Sequence, residues 1–175
     1  MNDMVRLIQP LIPALRRYAR SLVRDRAAAD DLVQDCLERA ITCWHQRKSD
    51  ADVRAWTFTI LHNVAMSYLR KRTLFNRHVA LDAAEEVTAA PPAEDSSVRY
   101  RELLSALDAL PEDQRSVLLL VSVEDLSYAE AAQVLSIPVG TVMSRVARAR
   151  EKLLRATNGE PATTTPRRPT LRRIK

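Results

Sequence analysis

The last patterned stretch of the chain, "IPVGTVMSRVARAREKLLRA" (residues 137–156), carries its charge in register. At about 100° per residue, Thr141, Arg145, Arg148, Lys152 and Arg155 fall within a narrow arc of one helix. Val142, Val146, Ala149 and Leu153 form a second arc roughly 110° away. One stripe is suited to burial and the other to meeting something negative. The chemistry on offer is the attraction of cationic side chains to phosphate oxygens. A solvated basic face is the plainer use of the same residues, so the rest of the chain must decide between them.

Residues that make and break bonds are poorly arranged. His45, His62 and His78 are scattered, no serine sits in a nucleophile elbow, and no carboxylates cluster at ligand spacing. The expectation is a protein that is not an enzyme. Only two glycines occur, Gly140 and Gly159, too far apart to build a glycine-rich phosphate loop. Cys36 and Cys43 on one helix would lie about 10.5 Å apart along its axis, beyond disulfide reach. Neither belongs to a recognised zinc spacing, so both read as buried free thiols and no metal or cofactor is expected.

Bulk composition points the same way as the basic arc. The 175 residues are 46% apolar and 28% charged, the balance of a globular chain, with a net charge of +5 that favours a polyanionic partner. No signal peptide is evident and no run approaches about 18 uninterrupted apolar residues, so a cytoplasmic protein without membrane insertion is expected.

The elements that must position these residues are helical nearly throughout. The first block, residues 5 to about 73, contains the amphipathic "LIPALRRYARSLV", then "AAADDLVQDCLERAITCW". The apolar "VRAWTFTILHNVAMSYLRKR" follows and ends in Arg70, Lys71 and Arg72. Residues 81–97, "LDAAEEVTAAPPAEDSS", hold five acidic residues, no basic ones and a Pro-Pro pair, which marks a flexible acidic linker. The second block, 98 to about 157, restarts with Pro111 as a plausible first helical residue. Ser127 and Glu130 form a capping box ahead of "AEAAQVL". "SIPVG" reads as a Pro-x-Gly turn, and the basic helix follows it. Capped short helix, tight turn and basic amphipathic helix, in that order, are a helix-turn-helix. Residues 158–175 read as a basic, disordered tail.

In combination these segments resemble an extracytoplasmic-function (group IV) sigma factor of the bacterial sigma-70 family. "DDLVQDCLERA" resembles region 2.2, and "DVRAWTFTILHNVAMSYLRKR" resembles regions 2.3 and 2.4. "LPEDQRSVLLLVSVEDLSYAEAAQVLSIPVGTVMSRVARAREKL" resembles region 4. The resemblance implies an all-α fold of two small helical domains, residues 1–73 and 98–157, on either side of a linker at 74–97. It implies binding to core RNA polymerase through the β′ clamp helices and the β subunit, and to promoter DNA. An anti-sigma factor is also expected. Asp31, Gln34 and Asp35 would dock on the β′ clamp coiled coil.

At the −10 element, Asn63 would help capture a flipped base, and Arg70, Lys71 and Arg72 would hold backbone phosphates. At the −35 element, Ser144 and Arg148 match positions that face bases. Thr141 and Arg145 suit phosphate contact or support, and Lys152 extends the same basic arc. The plainer reading of Asn63 is a turn residue between two helices, while Trp56 reads as core. Met143 and Ala147 depart from residues seen in some relatives, so the −35 sequence is not transferable. Two binding alternatives stay open: a self-sufficient helix-turn-helix regulator, and a sigma mimic that binds anti-sigma factors. The first leaves the N-terminal block unassigned, and the second should lack the basic residues.

Overall fold

The computed structural model describes residues 2–47, 52–79 and 98–157. The acidic stretch 81–97 and the tail 158–175 lie outside the described residues. The first lobe contains α1 (Asn2–Ile8), a 3-10 turn (Gln9–Leu11), α2 (Ile12–Val23), α3 (Arg26–Thr42), a second 3-10 turn (Trp44–Gln46) and α4 (Val53–Val79). The second contains α5 (Val98–Asp108), α6 (Glu112–Ser122), α7 (Tyr128–Leu135) and α8 (Val139–Thr157). No strand occurs among the described residues, and no helix there is long and apolar enough to cross a membrane.

Local signals set the helix ends. Arg24 closes α2 in the left-handed region at φ 58°, and the Asp25 side chain accepts from the Ala28 amide (3.1 Å) to start α3. α3 then buries Ala29, Leu32, Val33, Cys36 and Ala40. Cys43 stands at the C-cap of α3 and is only half-buried, whereas Cys36 is buried as expected. α4 is one continuous helix, so Asn63 lies mid-helix and not in a turn. It also runs past residue 73 to Val79, because "TLFNRHV" contains no glycine or proline to stop it.

In the second lobe Pro111 is the N-cap of α6, one residue before the position expected for it. Its backbone is extended (φ −53°, ψ 144°), and its carbonyl accepts from the amides of Gln114 and Arg115. The Ser127–Glu130 capping box forms with both of its bonds. The turn into α8 is made by Ser136, at φ 54°, with Ile137 and Pro138. Gly140 sits inside the first turn of α8, with open space where a Cβ would point. It is therefore not what bends the chain.

Packing joins the two lobes more closely than a linker between separate units suggests. α2 packs on α6 and α4 on α7. Leu15, Tyr18, Leu22, Phe58 and Leu61 share one core with Val117, Leu120, Val134, Val142 and Val146. The Tyr18 and Phe58 rings meet edge to face at 5.6 Å. A smaller cluster seats α1, where Met4, Ile8 and Ala40 pack with half-buried Trp44 and Trp56. A third holds α8 down through Leu110, Leu118 and Ala149.

Candidate polymerase and nucleic-acid interfaces

On α3 the buried residues take one side and leave the other for a partner. Asp31, Gln34 and Asp35 are exposed there, at the three- and four-residue spacing that places side chains on one helical face. Gln34 Nε2 donates to Glu38 Oε1 (3.1 Å), which adds Glu38 to the group. Asp31 and Asp35 have no ion-pair partner among the described residues, whereas nearby Asp30 is held by Arg20 (3.1 Å). Beside this acidic face runs an apolar groove of about 200 Å³ lined by Met4, Val5, Ile8, Ile12, Leu37 and Ile41. Sequence reasoning missed Glu38 and Ile41. Glu38 was detectable as the seventh residue after Asp31, and Ile41 only once α1 is placed against α3.

Along α4, Asn63 and Arg70 are seven residues apart, both exposed, and share a face. The Asn63 side chain is left for a partner, because its Ser67 contact uses only the backbone carbonyl (2.8 Å). Arg70 Nε donates to the Met66 carbonyl (3.2 Å), Lys71 is exposed and Arg72 is half-buried. Just beyond the basic triplet, Leu74 and Phe75 are exposed, an apolar pair that composition did not flag.

α8 divides the basic arc. Val142, Val146 and Ala149 are buried, so the valine stripe seats the helix as expected. Arg148 and Lys152 point outward with no ion-pair partner among the described residues. Thr141 and Ser144 are half-buried, with Ser144 Oγ donating to the Thr141 carbonyl (3.0 Å). Arg145 turns the other way. Its Nε pairs with Asp113 Oδ2 at 3.1 Å, and it lines a crevice of about 310 Å³ with His62, Met66, Ser116 and Leu135. Arg155 pairs with Glu151 (2.6 Å) within the helix.

The titratable groups behind these faces are arranged for packing. Tyr18 Oη and His62 Nδ1 lie 3.0 Å apart, and burial pushes the imidazole down to about 4 and the phenol up. Cys36 Sγ donates to the Thr57 carbonyl (3.6 Å), and burial pushes its thiol up to about 12. A thiol so disfavoured as thiolate is a poor nucleophile. Hydrogen bonds from Ser127 hold the Glu130 carboxyl below its usual range. One acidic surface, on α3, and two basic ones, on α4 and α8, therefore remain exposed.

Comparison with known proteins identifies the family. Residues 8–62 match the model of the sigma2 domain of PhyR, and residues 100–153 match sigma-70 region 4. The chain is 40% identical over 144 residues to the ECF RNA polymerase sigma factor EcfG of Rhodopseudomonas palustris (strain TIE-1), covering 81% of this chain and 78% of that one. Among solved structures it is similar to the sigma factor RpoE of Bartonella quintana in complex with the anti-sigma factor NepR. That match has a TM-score of 0.76 and 34% identity, over 90% of this chain and 98% of that one. It is also similar to CnrH in complex with the cytosolic domain of CnrY, with a TM-score of 0.68 and 27% identity, over 90% and 89% of the two chains. The chain belongs to the extracytoplasmic-function RNA polymerase sigma factors of the sigma-70 family, the alternative sigma factors that direct RNA polymerase in transcription.

Proposed function

We propose that this sigma factor acts in the cytoplasm, carries core RNA polymerase to two-part −35/−10 promoters, and helps hold the melted −10 strand. It performs no covalent chemistry. The observation that carries this reading is the division of exposed residues between the lobes. An unpaired acidic face lies on α3 and an unpaired basic pair, Arg148 and Lys152, lies on a capped helix-turn-helix. Asp31, Gln34 and Asp35 suit a basic helical partner, for which the β′ clamp helices are the family expectation. Arg148 and Ser144 read bases in the −35 major groove, where a guanidinium pairs bidentately with guanine. Thr141 and Lys152 hold phosphates, and Arg145 joins them once it leaves Asp113.

Asn63 presents an amide to one unstacked base, with Arg70, Lys71 and Arg72 fixing the strand. An anti-sigma protein is a further partner, as the likeness to sigma factors solved with NepR and CnrY suggests. The match to a PhyR domain raises a second reading, a mimic that only captures anti-sigma proteins. The outward Arg148 and Lys152 have no use in such a mimic. Co-purification with core polymerase tests the first reading. Wild-type protein should be retained, and Asp31→Lys/Asp35→Lys should lower retention at least about tenfold, since like charges at an interface cost several kcal/mol. Equal retention of both proteins would remove α3 as the docking face.

A further inference from the structure

We propose that the two lobes form a closed state held by a clasp on Glu124, and that this clasp must open before core polymerase and promoter DNA are engaged together. The consequence for binding rests on the sigma reading above; the clasp itself does not. Glu124 is the only buried charged residue among the described residues, at 1% exposure. It lies in the turn after α6, in the second lobe, yet its carboxylate is satisfied from the first. Arg17 of α2 donates to it twice, Nε to Oε1 at 2.8 Å and Nη2 to Oε2 at 2.6 Å. Arg54 of α4 donates to the Glu124 backbone carbonyl. A second contact sits at the rim, where Arg24 Nε pairs with Asp108 Oδ1 at 2.7 Å.

The polarity of these contacts is one-sided. Three arginines on the first lobe meet acceptors on the second. A carboxylate needed only by the second lobe's own fold would find its partner there, because a buried charge without one is strongly destabilising. Glu124 has no such partner among the described residues, so its burial makes sense only with the lobes together. In a parted chain it faces water, where a carboxylate is well solvated, and Arg17 is already half-exposed at 52% of its side chain. The clasp can therefore release without leaving an unsatisfied charge, so the cost of opening lies in the apolar core that the two lobes share.

Closure affects both reading helices. Arg145 of α8 and His62 and Met66 of α4 line the same crevice, one residue from Asn63. Promoter elements more than one helical turn apart are separated by more than about 34 Å along the duplex. Reading helices that line one crevice cannot reach both. The closed state thus lowers apparent affinity by the fraction of chains that are open.

Energy transfer between the lobes tests this in the full chain. With Cys43→Ser removing the accessible thiol and buried Cys36 left in place, dyes are attached at Ala27→Cys on α3 and Leu154→Cys on α8. Free protein should show high transfer, and core polymerase should lower it. Arg17→Glu sets a carboxylate against Glu124, and Arg24→Glu sets one against Asp108. Each should lower transfer in the free protein with helicity unchanged by circular dichroism. If Arg17→Glu does not fold, Arg24→Glu carries the measurement from the solvent-exposed rim. If closed chains outnumber open ones about tenfold, the opened variants should bind core polymerase up to about tenfold more tightly. Unchanged transfer in folded variants, or lowered transfer with no gain in polymerase binding, would overturn the clasp as a restraint. Lowered transfer in free variants, with no binding of polymerase by any form, would instead sink the sigma reading and leave the clasp standing.

Discussion

Arg148 and Asn63 serve different DNA elements in this account, and single substitutions should separate them. Arg148→Ala should weaken −35 engagement by about 1–3 kcal/mol, the worth of one bidentate base contact, and spare a pre-melted promoter. Asn63→Ala should relax discrimination at one −10 base and leave −35 engagement intact. Transcription from duplex and bubbled templates with single-base changes checks both, and equal loss on every template would contradict the division. His62 makes a separate prediction about stability. Its folded value of about 4 lies below the unfolded value of 6.5. Its contribution is therefore fully present above pH 6.5 and lost as pH falls toward 4, since only the unfolded chain gains a proton there. At pH 5 the loss is ~2 kcal/mol relative to pH 7. Denaturant titrations at the two pH values should show a smaller loss in His62→Gln than in wild type, and equal losses would show that burial does not hold the imidazole neutral. Which residues face outward on α3 and α8 was legible in the sequence, because helical period fixes relative direction. Arg145 was not: its pairing with Asp113 depends on how α8 lies across α6.

At the scale of elements, the helix-turn-helix depends on short-range signals, and these were the most readable part of the chain. Ser127 and Glu130 satisfy each other's amide donors at the start of α7, and nothing beyond three residues is needed to see it. Ser127→Ala should cost about 1 kcal/mol in denaturant unfolding of the full chain. The cost should be larger than that of Ser67→Ala on the exposed face of α4, and the reverse order would show that the cap carries no stability. The turn that follows was read less well. The Pro138-x-Gly140 pattern drew attention to the glycine, but the left-handed residue is Ser136, which no composition rule selects. α4 failed in the opposite direction: Asn63 suggested a break, and its burial-independent position on a long continuous helix overrode that local preference. Propensity is a weak prior wherever neighbouring residues pack a whole helix face.

For the whole molecule, the sequence separates two lobes by composition, and the structure brings them onto a common core. Nothing in "VSVEDLSY" announces that Glu124 is buried, because its partner Arg17 lies 107 residues away. Long-range pairing of this kind follows from the packing of α2 on α6, which amphipathic period alone does not specify. What the period does specify is that α3 carries an acidic partner-facing surface and α8 a basic one. Neither surface alone distinguishes a promoter-specificity subunit from a free-standing DNA-binding protein. The measurement that bears most directly on the central claim is transcription start mapping with purified core RNA polymerase on genomic templates. The account predicts discrete start sites that appear only when this chain is added, each preceded by the same pair of −35 and −10 elements, with the isolated chain binding duplex weakly and losing that binding as salt rises. No chain-dependent starts, together with tight sequence-specific duplex binding by the isolated chain at physiological salt, would contradict it.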